Sequence, residues 1–444
     1  MNISAGPVAV RERVGSLDVL RGVAVCGILL MNIPLMGMIG DLDRPPLPAV
    51  PNLDWIAYSI QDTVFAGSMR GLFTLLFGAG MLIMLRRADD PEGGESIQAY
   101  ITRCFALMLL GVANFALFLW PGEILFNYGV VGLGLILFRK AKTRVLLTAA
   151  AAAVLVLMTV ALATPSIDRA ETLRGVPAAE AAKAAGKTLT KEQEASLGMQ
   201  ARIKENLNPP AAKVEKERVQ RTSFPGVVAW STKFWVDFNF GDLAVAFLGE
   251  SLGFMLIGMA LFRSGVLSGA KSLRFYALLA VCGYALGFAV RGSFLFAEWT
   301  TGFMPNPEQM VWRGWIYELG RLPTTLGLLG LIMVLFKTGA LGKLAGAIQA
   351  IGRMALTNYV GQSVITAIIF YAFGLVGKFG FAQLMGIAAL IWIFQGLFSV
   401  LWLKRYEMGP LEWGLRMLTY GQITPLPRVQ PSAAVGSPVA APAE

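Results

Sequence analysis

Apolar runs long enough to cross a bilayer recur along the chain, divided by short polar stretches. The first extends from Val23 to Ile39. The second, Ile60 to Leu85, exceeds a minimal span, which predicts a helix tilted or broken in the stretch Gly67–Gly71. Phe105–Trp120 and Ile124–Phe138 are joined by Pro121-Gly122-Glu123 alone, so they predict a helical hairpin. Val145–Ala163 is the fifth run. The second half carries Leu243–Phe262, Phe275–Phe296, Trp315–Phe336, Leu356–Val376 and Leu384–Leu403. A spanning helix needs about 20 largely apolar residues. The pattern predicts an all-α, polytopic membrane protein with about ten transmembrane helices.

Between the halves the pattern lapses. Thr164 to Arg221 is rich in Ala, Lys and Glu and nearly devoid of aromatics. Thr190 followed by Gln193 is a capping-box pattern, predicting a helix through Leu207. Phe224 to Phe240 is aromatic-rich, as suits a membrane–water interface. From Pro425 the chain is Pro- and Ala-rich and predicts a disordered tail. The organisation is therefore residues 1–163, N-terminal spans; 164–242, a polar insertion and interfacial segment; 243–424, C-terminal spans; and 425–444, a tail. With few apolar residues to bury, the insertion is expected to be dispensable for folding.

Composition agrees: 55% of the residues are hydrophobic and 15% are charged, too apolar for a soluble chain of 444 residues. The net charge of +10 sits in clusters between the apolar runs. They are Arg86 to Arg103, Arg139 to Arg144, Arg263 to Arg274, Lys337 to Arg353, and Lys404-Arg405. If the N-terminus is cytoplasmic, every cluster falls on the cytoplasmic side, while the longer 164–242 segment lies outside and is exempt. The charge thus reads as topology, with both termini cytoplasmic, and not as a nucleic-acid surface. The first run holds Asn32 and Pro34, and no small-x-small site follows it, so it reads as an uncleaved span. The expected location is a bacterial inner membrane.

The chain contains no histidine. Proton transfer must then use Asp, Glu, Lys, Tyr, Cys or water. Cys26, Cys104 and Cys282 stand far apart and read as buried structural thiols, not as a disulfide framework or a metal site. Candidate chemistry lies in polar residues within the apolar runs, which are costly there. Asp18 and Arg21 are three apart and share a helix face, with Asn32 further along. They suit the mouth of a polar cavity, or equally an ion pair fixing the first span. Arg70 opens Arg70-Gly-Leu-Phe-Thr-Leu-Leu-Phe-Gly-Ala-Gly80 and must find an anion, carbonyls or water, or snorkel to the interface. Arg353 precedes Asn358, Tyr359, Gln362 and Ser363, whose helical spacing also suits interhelical hydrogen bonding. Lesser candidates are Glu123 with Asn127, Glu250 with Ser251, and Glu318 with Arg321.

These segments, in this order, resemble the YeiB-like family of bacterial inner-membrane proteins. The matching stretches are Ser16-Leu-Asp-Val-Leu-Arg-Gly-Val-Ala to Asn32, Arg70 to Gly80, Gly352-Arg-Met-Ala-Leu-Thr-Asn-Tyr359 with Gln362, and Met408-Gly-Pro-Leu-Glu-Trp413 through Arg416. The Leu-Asp-x-x-Arg-Gly opening is similar to that of transmembrane acyltransferases of the heparan-α-glucosaminide N-acetyltransferase type. That resemblance implies transfer of an acyl group from a cytoplasmic thioester to an acceptor on the far side. The histidine used by those enzymes has no counterpart here, so its role does not carry over. The expectation is a membrane-embedded group transferase with Asp18 or Glu123 as base. Arg21, Asn32, Arg70, Arg353, Asn358, Tyr359 and Gln362 would line a ligand site without metal. Expected partners are membrane lipids and an acyl thioester or other anionic amphipathic ligand. The sequence names no cofactor and no oligomeric state. A transporter or lipid-handling protein, or an accessory subunit of a membrane complex, are the alternatives. The topology is tested with Lys187→Cys and Ser437→Cys on intact spheroplasts. An impermeant thiol reagent is expected to label the first and spare the second; the reverse pattern overturns the orientation.

Overall fold

The computed structural model describes residues 15–40, 45, 52–89 and 96–426. The tail expected to be disordered lies outside them from residue 427 onward. Every regular element among the described residues is helical. In the first half these are α1 Gly15–Gly37, α2 Leu53–Ile60, α3 Ser68–Asp89, α4 Ile97–Phe118, α5 Leu125–Leu135 and α6 Thr143–Met158. The insertion forms α7 Thr164–Arg174, α8 Val176–Ala184, α9 Lys191–Leu207, α10 Ala211–Thr222 and α11 Phe224–Phe240. The second half forms α12 Asp242–Arg263, α13 Leu273–Thr300, α14 Pro307–Lys337, α15 Leu344–Arg353, α16 Ala355–Ala367, α17 Phe381–Leu403 and α18 Pro410–Tyr420. Among the described residues eight helical stretches are long and apolar enough to cross a membrane, and Leu125–Phe138 and Thr143–Val156 are shorter apolar ones. These ten coincide with the ten apolar runs.

The second span is interrupted by a π-helical turn at Gln61–Phe65, and Gly67 adopts φ +70°. A Cβ at Gly67 would also lie 2.4 Å from the Arg321 side chain. Only glycine meets both demands. The break thus falls at the start of the Gly67–Gly71 stretch and has a local cause.

The basic loops meet at one end of the bundle. The Arg263 guanidinium donates to the carbonyls of Arg139 and Ala141. Lys337 donates to the carbonyls of Gly269 and Lys271, and Ser16 to that of Leu267. Arg353 donates to the Glu407 carbonyl at 3.0 Å. The single-sided charge expected from the loops is therefore a property of the fold.

The insertion is less detached than its composition suggests. Both halves of the Thr190–Gln193 capping box are made. Ala170, Leu173 and Val176 pack with Met310, and Leu207 joins Trp55, Leu295 and Phe303. Arg221, 1% exposed, donates to the carbonyls of Leu35, Met36 and Met38 at 2.6 to 3.0 Å. It stacks on Trp230 at 4.0 Å. Those carbonyls belong to the C-terminal end of α1, which has no intrahelical donors left for them. Deleting Gly175 to Asn208 would remove Val176 and Leu207 from these contacts, so dispensability does not follow from the structure. A correction concerns the thiols: Cys104 is buried and Cys26 half-buried, but Cys282 is exposed on α13. A small apolar thiol on an outward helix face suits lipid as well as it suits a core.

Two glycine pairs set the closest helix crossings. A Cβ on Gly352 would lie 1.8 Å from the Asp18 carbonyl oxygen, and one on Gly22 would lie 2.1 Å from that of Ile348. α15 thus rests on the first turns of α1. In the same way Gly78 abuts the Met255 carbonyl at 2.1 Å, and Gly258 that of Leu75 at 1.9 Å, locking α3 to α12. These contacts are the close approach that small residues permit in membranes. Gly352→Ala is expected to lower the thermal midpoint in detergent by an amount equivalent to about 1–3 kcal/mol. Gly346→Ala on the same helix meets nothing within 4 Å and should be neutral or stabilising. Equal midpoints for the two variants would refute the crossing.

Candidate functional site

Arg70 does not snorkel. Its Nη2 lies 2.6 Å from Glu250 Oε2, and its guanidinium covers the Phe247 ring at 4.4 Å. The other carboxylate oxygen of Glu250 lies 2.6 Å from Arg321 Nη1, and Arg321 Nε lies 3.2 Å from Glu318. Four charges from α3, α12 and α14 thus form one row, with Arg321 only 1% and Glu318 6% exposed. Arg321 also lies over Phe254 at 4.2 Å. Its contact with Glu250 is short but off the hydrogen-bonding line. Charge pairing and the aromatic face hold it more than directed bonds do. Thr74 extends the row, donating to the Arg70 carbonyl at 2.8 Å and meeting the Tyr128 hydroxyl at 2.5 Å. Beside it Arg291 donates to the Ala66 carbonyl and lies 3.6 Å from Asp62.

Asp18 and Arg21 pair at 3.4 Å at the basic end and stay apart from that row. Their side chains keep 15% and 32% of their exposure. Arg21 Nη2 lies 3.6 Å from where a Cβ of Gly80 would be, so the glycine-rich end of the second motif faces the first. α1 meets α3 again where Gly27 abuts the Met69 side chain, the residue before Arg70. Asn32 is half-buried further along α1, and no described side-chain bond involves it.

The third group is knitted into helix contacts. Asn358 donates to the Ile351 carbonyl and to Ser399, and Gln395 donates to the Asn358 carbonyl. Gln362 donates to the Val25 carbonyl and to Gln395, both at 3.1 Å. This is the interhelical bonding that their spacing also allowed. α16 begins afresh after Met354, so its first N–H groups need acceptors. Glu412 supplies them: its carboxylate accepts from the N–H of Leu356 at 2.7 Å, from that of Thr357, and from the Thr357 hydroxyl at 2.6 Å. Burial pushes the Glu412 carboxyl above its ordinary range, and these bonds oppose the shift. The Met408 to Trp413 stretch is thus a cap delivered from another segment.

Glu123 and Tyr359 both meet the first amides of α5. Glu123 is 0% exposed and accepts from the N–H of Leu125 at 2.8 Å and of Phe126 at 3.3 Å. The Tyr359 hydroxyl accepts from the Ile124 N–H at 3.1 Å. A Cβ on Gly111 would touch Glu123 at 2.6 Å. Gly111 lies seven residues before the end of α4, about 10 Å back along the helix. The hairpin therefore returns into the bundle before α5 starts, and α5 is a half-length helix whose first amides are buried. Irregular backbone at that depth survives only when protein satisfies it. Sequence reasoning kept Glu250 and Arg321 as lesser candidates and put Asp18 and Glu123 forward as bases, although Glu250 and Arg321 lie within apolar runs while Asp18 and Glu123 lie at their edges. Arg291 carried the same signal and was missed.

A many-spanning helical membrane protein with a buried Arg–Glu row is the class these features define. Over residues 261–422 the chain matches the family described as a protein of unknown function, DUF418. It is 30% identical over 423 residues to "Uncharacterized protein YeiB" of Escherichia coli (strain K12), covering 92% of this chain and 96% of that one. It is 27% identical over 431 residues to "Uncharacterized protein YxaH" of Bacillus subtilis (strain 168), covering 94% and 96%. The chain belongs to this YeiB-like family. No solved structure matches it.

Glu250→Gln leaves two buried guanidinium groups with one anion fewer. It is expected to cost about 3–5 kcal/mol, read as a lowered thermal midpoint in detergent. Adding Arg70→Gln should recover part of the loss. A single variant as stable as the parent would show that the row is not held by charge.

Proposed function

We propose that the protein is a membrane-embedded group transferase acting on an anionic amphipathic donor, with acyl transfer as its chemistry. The observation that carries this reading is a pair of charged stations along α1 and α3. Asp18 and Arg21 stand beside Gly80 at the basic end, and the Arg70–Glu250–Arg321 row lies ten residues deeper on α3. That separation is about 15 Å of helix. Arg21, one-third exposed, suits the phosphate end of a thioester donor, since guanidinium groups bind such anions bidentately. The Leu-Asp-x-x-Arg-Gly opening, similar to that of transmembrane acyltransferases, supports the same chemistry. Asp18 is the better base of the two proposed, because the Glu123 carboxylate is engaged as the cap of α5.

One observation favours transport or lipid handling instead. A half-length helix starting inside the bundle, as α5 does, is a usual element of transporter binding sites. Reconstituted protein separates the readings. With radiolabelled acetyl and palmitoyl thioesters outside the liposome face bearing the basic loops, label is expected on bilayer lipid or an added acceptor extract. Arg21→Ala should reduce that transfer by about tenfold or more. Absence of transfer, together with Arg21-dependent passage of an intact anionic solute, would replace the transferase by the transporter.

A further inference from the structure

α18 is seated in the bundle along one flank and stands away from it along another. Its start is clamped from both sides. Glu412 accepts from the first amides of α16, and the Thr357 hydroxyl accepts in return from the Leu411 N–H at 3.1 Å. Leu415 and Thr419 are buried, and Leu415 joins the apolar cluster that holds Leu107 and Tyr128. The other flank leaves a groove of about 480 Å³ against Leu110 of α4, bordered by Leu411, Gly414, Leu418, Gly421 and Ile423.

Two glycines keep the groove open. A Cβ on Gly414 or on Gly421 would meet nothing within 4 Å. Gly421 adopts φ +62° to end the helix, a conformation that favours glycine. Gly414 lies inside the helix and has no such need, so the space beside it is what that glycine supplies. Because the clamp fixes the start of α18, the space is a feature of the packing and not slack.

The position of the groove selects what fills it. Leu110 stands seven residues beyond Arg103 on α4, about 10 Å further from the basic end. Leu109 and Leu117 of α4 are exposed, as are Leu418 and Ile423 at the rim. In a membrane-spanning helix such a surface is covered by lipid. Trp413, Arg416 and Tyr420 recur at three and four residues and form a second face of α18, with the residue types of a membrane–water interface. A helix so divided lies in the interface, with its apolar face at the acyl boundary. The side chains lining the groove are apolar, so water would find no partners there. Left empty, it would forfeit contacts along both walls. An apolar cavity of about 150 Å³ already takes up benzene, and this larger one is continuous with the lipid-covered face of α4. We propose that the groove between α4 and α18 is a binding site for one acyl chain of a bilayer phospholipid, drawn from the leaflet on the basic side. The site does not depend on the transferase reading.

The full chain in nanodiscs of phosphatidylethanolamine and phosphatidylglycerol, doped with a phosphatidylcholine bearing a mid-chain diazirine, tests this. Irradiation and peptide mapping are expected to find label on Met417 about fivefold more often than on Leu390 and Ile393, which are exposed on α17. Gly414→Phe fills the groove from α18 and should bring Met417 down to the level of the α17 pair. Leu110→Trp fills it from α4 and should do the same. Gly292→Phe, at an open position of α13, should leave the excess intact. Equal labelling of Met417 and the α17 pair in the unaltered protein overturns the proposal, as does an excess that survives both fillings. An excess that appears only once residues 427–444 are removed would give the groove to the chain's own tail. One that appears only with free diazirine palmitate would give it to a fatty acid; either result overturns the phospholipid site.

Discussion

A charge carried into the apolar interior of a bundle has no water to fall back on, so it must be met by a charge from another segment. Glu250 does this twice. One oxygen holds Arg70 and the other holds Arg321, and Arg321 in turn holds Glu318. The row ties α3, α12 and α14 at a single depth, where apolar contacts alone specify little. Lipid tails are as apolar as leucine, so burying leucine gives such helices no strong reason to choose one partner over another. The Arg–Glu row, with the Gly78–Gly258 crossing beside it, supplies that choice.

Broken helices obey the same demand in another form. Three helix ends inside the molecule are closed by side chains: α16 by Glu412 and α1 by Arg221, both from distant segments, and the half-helix α5 by the adjoining Glu123. Carboxylates meet N-terminal amides and a guanidinium meets C-terminal carbonyls, the pairing the helix dipole favours. Much of what looks like active-site polarity in the motifs is therefore architecture. Asn358 and Gln362 bind helices to one another, Arg353 holds the turn before α18, and the glycines of the first and third motifs make close helix contacts.

What remains for function is narrower and better placed. Arg21 and Asp18 keep exposure at the end where the basic loops gather, while Arg70 is spent on Glu250. A ligand reaching Arg70 would have to compete with a carboxylate already in contact. Among the described residues Arg21 pairs with a carboxylate only at Asp18, at the longer distance of 3.4 Å.

The linear sequence by itself determined the helical class, the ten apolar runs, the capping box at Thr190 and the one-sidedness of the basic loops. Each depends on periodicity, composition or neighbours within one turn. It also showed that Asp18 could meet Arg21, and Glu318 meet Arg321, because residues three apart share a helix face. Tertiary structure alone decided that Arg70 meets Glu250, 180 residues away, and that Glu412 caps α16 across 55 or 56. It alone decided that the hairpin folds back to bury Glu123, and that a polar insertion closes α1 through Arg221. A local pattern states what a charge needs, but many distant groups can meet that need. Only the packing of the helices selects which one does.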